Sequence, residues 1–172
     1  MTFLSNQILR IRALEPTDLE FLYACENDTE NWSTGNTHMP LSRYVLRAYL
    51  QQDTTDVFAA TQFKWAITLT DGQLVGLLDV IGIDHYHQRA EVGIFIEKSY
   101  RNKGYAAQAL GLFADYAKHY LGWHQLTAIV AEKNTASHRL FQKVGFVQSG
   151  VWKDFLKTPT GYENALLYQL VL

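Results

Sequence analysis

Apolar and polar positions alternate from Ile8 to Leu14, with Leu9, Ile11 and Ala13 set against Ile8, Arg10 and Arg12. A half-buried strand produces this period of two. Pro16 and Thr17 then open a helix, and Thr17 with Glu20 forms a capping-box pair ahead of Leu19, Leu22 and Tyr23 at helical spacing. The stretch from Asn27 to Pro40 is polar and turn-rich, with Trp32 its only large aromatic residue. A second helix is predicted from Ser42 to about Gln52, carrying Val45, Leu46, Tyr49 and Leu50 on one side.

Phe63 to Leu69 and Leu74 to Ile81 read as two strands joined through Asp71-Gly72, a strong hairpin signal. A polar loop, Asp84-His85-Tyr86-His87-Gln88, leads into Glu91-Val92-Gly93-Ile94-Phe95-Ile96, whose nearly unbroken apolar run suits a central strand. Helical period returns from Ala106 to Leu121, a short buried strand spans Leu126 to Val130, and Ala136 to Val144 forms a helix ended by Gly145. Two closing strands, Phe146 to Trp152 and Tyr162 to Leu170, flank the turn Thr158-Pro159-Thr160-Gly161. An antiparallel start followed by strand-helix-strand crossovers predicts an α/β (α+β) fold: a mixed central sheet with helices on both faces.

No linker or repeat interrupts the chain, and 172 residues favour a single domain over 1–172. The charge is nearly balanced, 15 Lys+Arg against 17 Asp+Glu, which removes the basic footprint of a nucleic-acid binder. No apolar run reaches the ~18 residues of a membrane span, so neither nucleic acid nor membrane is an expected partner. The single cysteine, Cys25, excludes an intramolecular disulfide, and a cytoplasmic location is expected.

Between the apolar strand and the next helix lies Arg101-Asn102-Lys103-Gly104-Tyr105-Ala106. A strand feeding a helix through such a loop leaves the first helical N–H groups without partners, and with the helix dipole they form an anion site. Gly104 removes a side chain where a phosphate must approach, and Arg101 and Lys103 add positive charge.

This Arg-x-x-Gly-x-Ala pattern resembles the signature of the GNAT acyltransferase superfamily. The segment Asn134-Thr135-Ala136-Ser137-His138-Arg139-Leu140-Phe141-Gln142-Lys143-Val144-Gly145-Phe146 resembles the superfamily's second landmark, Asn-x-x-Ala/Ser-x-x-x-Tyr-x-Lys-x-Gly-Phe. The two stand in the right order and spacing. The resemblance, closest to the ribosomal-protein N-terminal acetyltransferase and bacterial spermidine acetyltransferase types, implies a mostly antiparallel sheet of about six to seven strands, splayed in the middle. It implies acetyl-CoA as cosubstrate, with the backbones of Ile94, Phe95 and Ile96 along the pantetheine arm. Arg101, Asn102, Lys103, Gly104, Tyr105, Ala106 and Ala107 would wrap the pyrophosphate, with Asn134, Ser137 and Lys143 on the other side.

Amide formation from a thioester needs a neutral amine, a base for its proton and donors for the tetrahedral oxyanion. Glu91 opens the apolar strand on the same face as Gly93 and Phe95 and matches a position where family members carry a catalytic or water-organising Glu. It is equally readable as a strand-edge carboxylate paired with Arg89. The family's usual Tyr falls here on Phe141, which has no proton to give. Tyr105, Ser137, Tyr162 or Tyr168 could substitute, the thiolate could leave unaided, or the protein could be a non-catalytic acyl-CoA sensor or assembly module. His85 and His87 invite a metal reading, but no further ligands stand at sensible spacing, so no metal is expected. For the acceptor, a small amine such as a polyamine or a protein N-terminal amine, the candidates are Trp32, Tyr44, Glu30 and His85, with Glu26 and Asp28 adding negative charge. Homo-oligomers are common among similar proteins.

Overall fold

A computed structural model describes residues 3–32, 38–51 and 56–172. Seven strands form one sheet in the order β1-β2-β3-β4-β5-β7-β6: β1 Leu9–Ala13, β2 Phe63–Leu69, β3 Leu74–Asp84, β4 Arg89–Ile96, β5 Gln125–Ala131, β6 Val147–Thr158 and β7 Gly161–Val171. Every neighbouring pair is antiparallel except β4–β5. The mixed sheet expected from the element order is found, with the mostly antiparallel pairing that the resemblance implies.

Alternation in the strands sorts the core into two layers. Leu9, Ile11, Ile67, Leu78, Val80, Val92, Ile96, Leu126 and Ala128 face α4 (Tyr105–Tyr116) and α5 (Thr135–Val144), where Leu110, Phe113 and Phe141 close the main core. On the opposite face Leu77, with Phe95 beside it, meets Leu19 and Leu22 of α1 (Leu19–Asn27) and Leu46 of α3 (Arg43–Leu50). A four-residue α2, Thr29–Trp32, lies between α1 and α3 in the chain.

Several boundaries differ from the sequence expectation. Pro16 begins a 3-10 turn, Pro16–Asp18, so α1 starts only at Leu19 and Thr17 is not its cap. Asp18 closes the 3-10 turn instead, its side chain accepting the Glu15 N–H at 2.8 Å and two bonds from the Arg12 guanidinium at 2.7 and 2.9 Å. Glu20 reaches Arg43 instead. Ser42 caps α3 by accepting the Val45 N–H; the expected helix end at Gln52 and positions 33–37 of the polar stretch lie outside the described residues.

The loop at Asp84–Gln88 is the tight end of a β3–β4 hairpin, because Asp84 pairs with Arg89. The α4 helix gives way after Tyr116 to a π turn, Ala117–Leu121, which still buries Ala117 and Leu121. The edge strand β6 runs past Trp152 to Thr158, across two register shifts against β7. Those shifts break the period of two and hide the strand's second half from pattern reading.

Candidate active site

Parallel pairing between β4 and β5 covers only Arg89–Glu91 against Gln125–Thr127. Both strands continue, β4 to Ile96 and β5 to Ala131, without pairing to each other. The sheet therefore opens into a fork just past Glu91. Glu97 donates to the Val75 carbonyl at 2.9 Å. Antiparallel alternation then turns the backbone groups of Phe95, Gly93 and Glu91 toward β3, and those of Ile96, Ile94 and Val92 away from it. Ile94 and Ile96 thus present backbone to the fork as the resemblance requires, whereas Phe95 spends its own on β3. The Ile96 carbonyl already accepts the Arg101 Nε at 2.9 Å.

At the wide end of the fork Glu97 caps a short turn, Lys98–Tyr100, and the chain enters α4 through Gly104 in the left-handed region, φ +80°. The first helical bond runs from Gln108 N–H to the Gly104 carbonyl at 3.2 Å. The N–H groups of Tyr105, Ala106 and Ala107 before it are left for an outside acceptor. A β-carbon built on Gly104 meets no protein atom within 4 Å, so the space there is free for a ligand. The Arg101 guanidinium lies 5.8 Å from the Phe95 ring, and the Lys103 Nζ lies 5.2 Å from the Tyr100 ring. Asn102 supports the turn with φ +61°.

A groove of about 530 Å³ joins this loop to α5, lined by Lys103, Gly104, Ala107, Gln108, Gly111, Lys143 and Val144. Lys143 is thereby brought to the phosphate loop from a distant helix. Gln108 and Gly111 also line the groove and carry no motif that would have marked them. Asn134 caps α5, its side chain accepting the Ser137 N–H at 3.1 Å, so its carbonyl oxygen is committed to the helix. Ser137 stands half-buried in the first turn of α5.

Glu91 pairs in register with Ile81 and Thr127. Burial alone pushes its carboxyl above the ordinary glutamate range. The salt bridge proposed with Arg89 does not form; Arg89 pairs with Asp84 at 3.2 Å, and Glu91 has no ion pair among the described residues.

Phe141 is buried against Phe146 and the ring of Tyr168. Tyr168 is 1% exposed, and its hydroxyl lies 2.9 Å from His138 Nδ1. The other ring nitrogen of His138 lies 3.0 Å from the Glu132 carbonyl, which can only accept. That nitrogen therefore donates to the carbonyl. Tyr162 lies on the exposed β6–β7 hairpin beside Lys157.

The four acceptor candidates are not gathered together. The Trp32 indole N–H is spent on the Glu26 carbonyl at 2.8 Å, and Tyr44 is 82% exposed. Glu30 forms an ion pair with Lys98, beyond the C-terminal end of β4. His85 sits in the hairpin before its N-terminal end, bonded to the Ala60 carbonyl at 2.7 Å. A strand of eight residues, ~26 Å long, separates them. Sequence reading missed what lies between: Lys64 of β2 bridges Glu26 of α1 and Asp79 of β3 on the same sheet face as Glu91. Among the described residues no cluster of three or more His, Cys, Asp or Glu could hold a metal, and no helix is long and apolar enough to cross a membrane.

Comparison with known proteins follows the same lines. Residues 9–147 match the family model of the acetyltransferase (GNAT) domain. The spermidine N(1)-acetyltransferase of Escherichia coli is 28% identical over 165 residues, covering 94% of this chain and 85% of the relative. A Bacillus subtilis relative named as a proposed ribosomal N-acetyltransferase is 26% identical over 171 residues, covering 96% and 92%. The crystal structure of spermidine N-acetyltransferase from Vibrio cholerae with CoA and spermine superposes with a TM-score of 0.85 at 24% identity, covering 96% of each chain. A dodecameric structure of that enzyme gives 0.80. The forked sheet, the free N–H groups opening α4 and the matching family model lead to one conclusion: the chain belongs to the GNAT acetyltransferase family and is an acetyl-CoA-dependent N-acetyltransferase.

Proposed function

We propose that this protein acetylates a small cationic amine at the fork between β4 and β5, with Glu91 as the base. The observation that carries this reading is the place of Glu91 on the last paired row before the strands part, half-buried and unpaired by any cation among the described residues. Acetyl-CoA supplies the thioester. The N–H groups of Tyr105, Ala106 and Ala107 hold its pyrophosphate, the backbones of Ile94 and Ile96 run beside its pantetheine arm, and Lys143 approaches from α5.

Alkylamines are mostly protonated at neutral pH, so the attacking nitrogen must lose a proton to Glu91, directly or through one water. The higher pKa that burial gives Glu91 narrows the gap to the amine. A backbone N–H at the fork stabilises the oxyanion. The thiol, with a pKa of about 8.5, leaves without a dedicated acid. The burial of Tyr168 with its bond to His138, and the place of Tyr162 on an outer hairpin, weigh against either as the acid.

The Escherichia coli relative, similar across nearly the whole chain, supports a polyamine over a protein N-terminus. Thiol release from acetyl-CoA with a panel of polyamines, simple amines and N-terminal peptides tests the reading. Turnover with a cationic amine supports it; tight acetyl-CoA binding with no turnover across the panel overturns it and revives the sensor reading.

The single domain over 1–172 and a cytoplasmic setting, which the lone thiol of Cys25 suits, belong to the same reading. Self-association does too. The sheet edge β6 exposes Val147, Val151, Trp152 and Phe155, an apolar stripe suited to a second copy.

A further inference from the structure

Lys64, Asp79 and Gly93 stand in one row across β2, β3 and β4. Paired residues of neighbouring strands point to the same face, so all three share the face of Glu91, one row from it. Above Lys64 lies α1, whose Glu26 takes the Lys64 ammonium in a short bond; Asp79 Oδ1 lies 3.4 Å from the same nitrogen. One ammonium is thus shared by two carboxylates.

The two are not equivalent. Glu26 retains 10% of its side-chain exposure, against 30% for Asp79. Across β4 the register partner of Asp79 is Gly93, which has no side chain to lay beside the carboxylate. A β-carbon placed there would lie in van der Waals contact, 3.6 Å, with the Asp79 Cβ, so a larger residue would crowd the Asp79 side chain. Burial raises the pKa of Asp79 despite Lys64, so half a share of one ammonium leaves its charge incompletely matched.

Glu91 and Asp79 are diagonal neighbours on adjacent antiparallel strands, a separation of ~7–8 Å between backbones and less between side chains. An extended diamine with three or four methylenes spans about 5–6 Å between nitrogens by ordinary bond lengths. We propose that Asp79, steadied by Lys64 and uncovered by Gly93, is the specificity-determining residue of the acceptor site. It receives the second, charged ammonium of a diamine whose first nitrogen reacts beside Glu91. This inference rests on the acceptor site proposed above.

The test compares 1,4-diaminobutane with butylamine as acceptors, in turnover and in calorimetric binding to the CoA-loaded protein. Acetyl-CoA affinity serves as the check on folding. The wild type is expected to prefer the diamine by at least about tenfold in kcat/KM and in binding, the scale of one hydrogen-bonded charge. Asp79→Asn or Asp79→Ser, whichever folds, should reduce that preference by about tenfold or more, chiefly through KM, and Asp79→Glu should restore part of it. A merely structural role would lower both acceptors together and leave the ratio unchanged.

An absent wild-type preference, or one that survives both neutral variants, overturns the inference. Selective diamine binding lost on substitution at Asp79, but without turnover of either amine, supports it while overturning the proposed reaction.

Discussion

Glu91 and Thr127 face each other across the last paired row of β4 and β5, and beyond that row the two strands part. The placement puts the one half-buried carboxylate of β4 at the point of the fork. It also sets up the first test. Glu91→Gln should lower kcat by about 10²–10⁴-fold near neutral pH, the usual contribution of a positioned base. The base must be ionised to work, and burial raises its pKa. The wild-type rate should therefore fall as pH drops through a value above the ordinary glutamate range. That acidic limb should vanish in the variant, and a pH–rate profile unchanged by the substitution would refute the role.

The proposed recognition of the pyrophosphate through backbone N–H groups makes a contrast. Gly104→Val places a branched side chain at φ +80° and in the space kept open for the ligand. CoA affinity should drop by more than about tenfold, because the branched side chain occupies the approach to the helix N–H groups, and the left-handed residue separately costs about 1–2 kcal/mol of stability. Arg101→Ala and Lys103→Ala should each weaken binding by less than about fivefold, as expected of exposed charges. Isothermal titration would decide; a larger effect from Arg101→Ala than from Gly104→Val would reverse the assignment.

Gly76 is where β3 accepts the close approach of β4. A β-carbon there would stand 2.3 Å from the Phe95 carbonyl oxygen and 2.7 Å from Ile96 Cδ1, so one strand must shift. Gly76→Ala should cost about 1–3 kcal/mol, seen as a fall of several degrees in Tm. Because Ile94 and Ile96 line the fork, CoA affinity should weaken as well. An unchanged melting curve would contradict the packing.

The Arg12–Asp18 pair predicts how the fold responds to acid. Burial disfavours the Asp18 carboxylate, but the Arg12 hydrogen bonds and charge, with the Glu15 N–H, outweigh it and leave the pKa below the ordinary value of 3.8. A carboxyl with a lowered folded-state pKa contributes stability above its unfolded value and loses it as pH falls through the folded one. Asp18→Asn should therefore destabilise by about 1–3 kcal/mol at neutral pH. In urea titrations the gap between wild type and variant should close below about pH 4. A gap that persists to pH 2 would place the cause elsewhere.

Tyr168 bears on the proton donor. Its hydroxyl is held by His138 in a closed core, so Tyr168→Phe should change kcat by less than about tenfold and stability by about 1 kcal/mol. A loss of kcat beyond a hundredfold at intact stability would make Tyr168 the acid after all.

Much of this architecture was legible in the amino-acid order because it is written in short-range signals. The alternation at Leu9 and Ile11, the Asp71-Gly72 turn, the helical period from Ala106 and the Gly104 entry each act within a few residues, and each stands near its expected place. Errors were local competitions: Pro16 started a 3-10 turn before Thr17 could cap, and the bulges in β6 erased its period beyond Trp152.

What no short-range signal carries is which side chains meet across elements. Glu26 and Lys64 lie 38 positions apart, and both join Asp79 only because β2 and β3 pair in one register beneath α1. Arg101, Trp32 and Glu30 have the residue types of ligand contacts, yet folding commits them to Ile96, Glu26 and Lys98. Chain order set the elements, the phosphate loop and the donor. Register, strand splay and the packing of α1 on the sheet set which carboxylates share the face of Glu91, because those depend on distances between strands rather than along them.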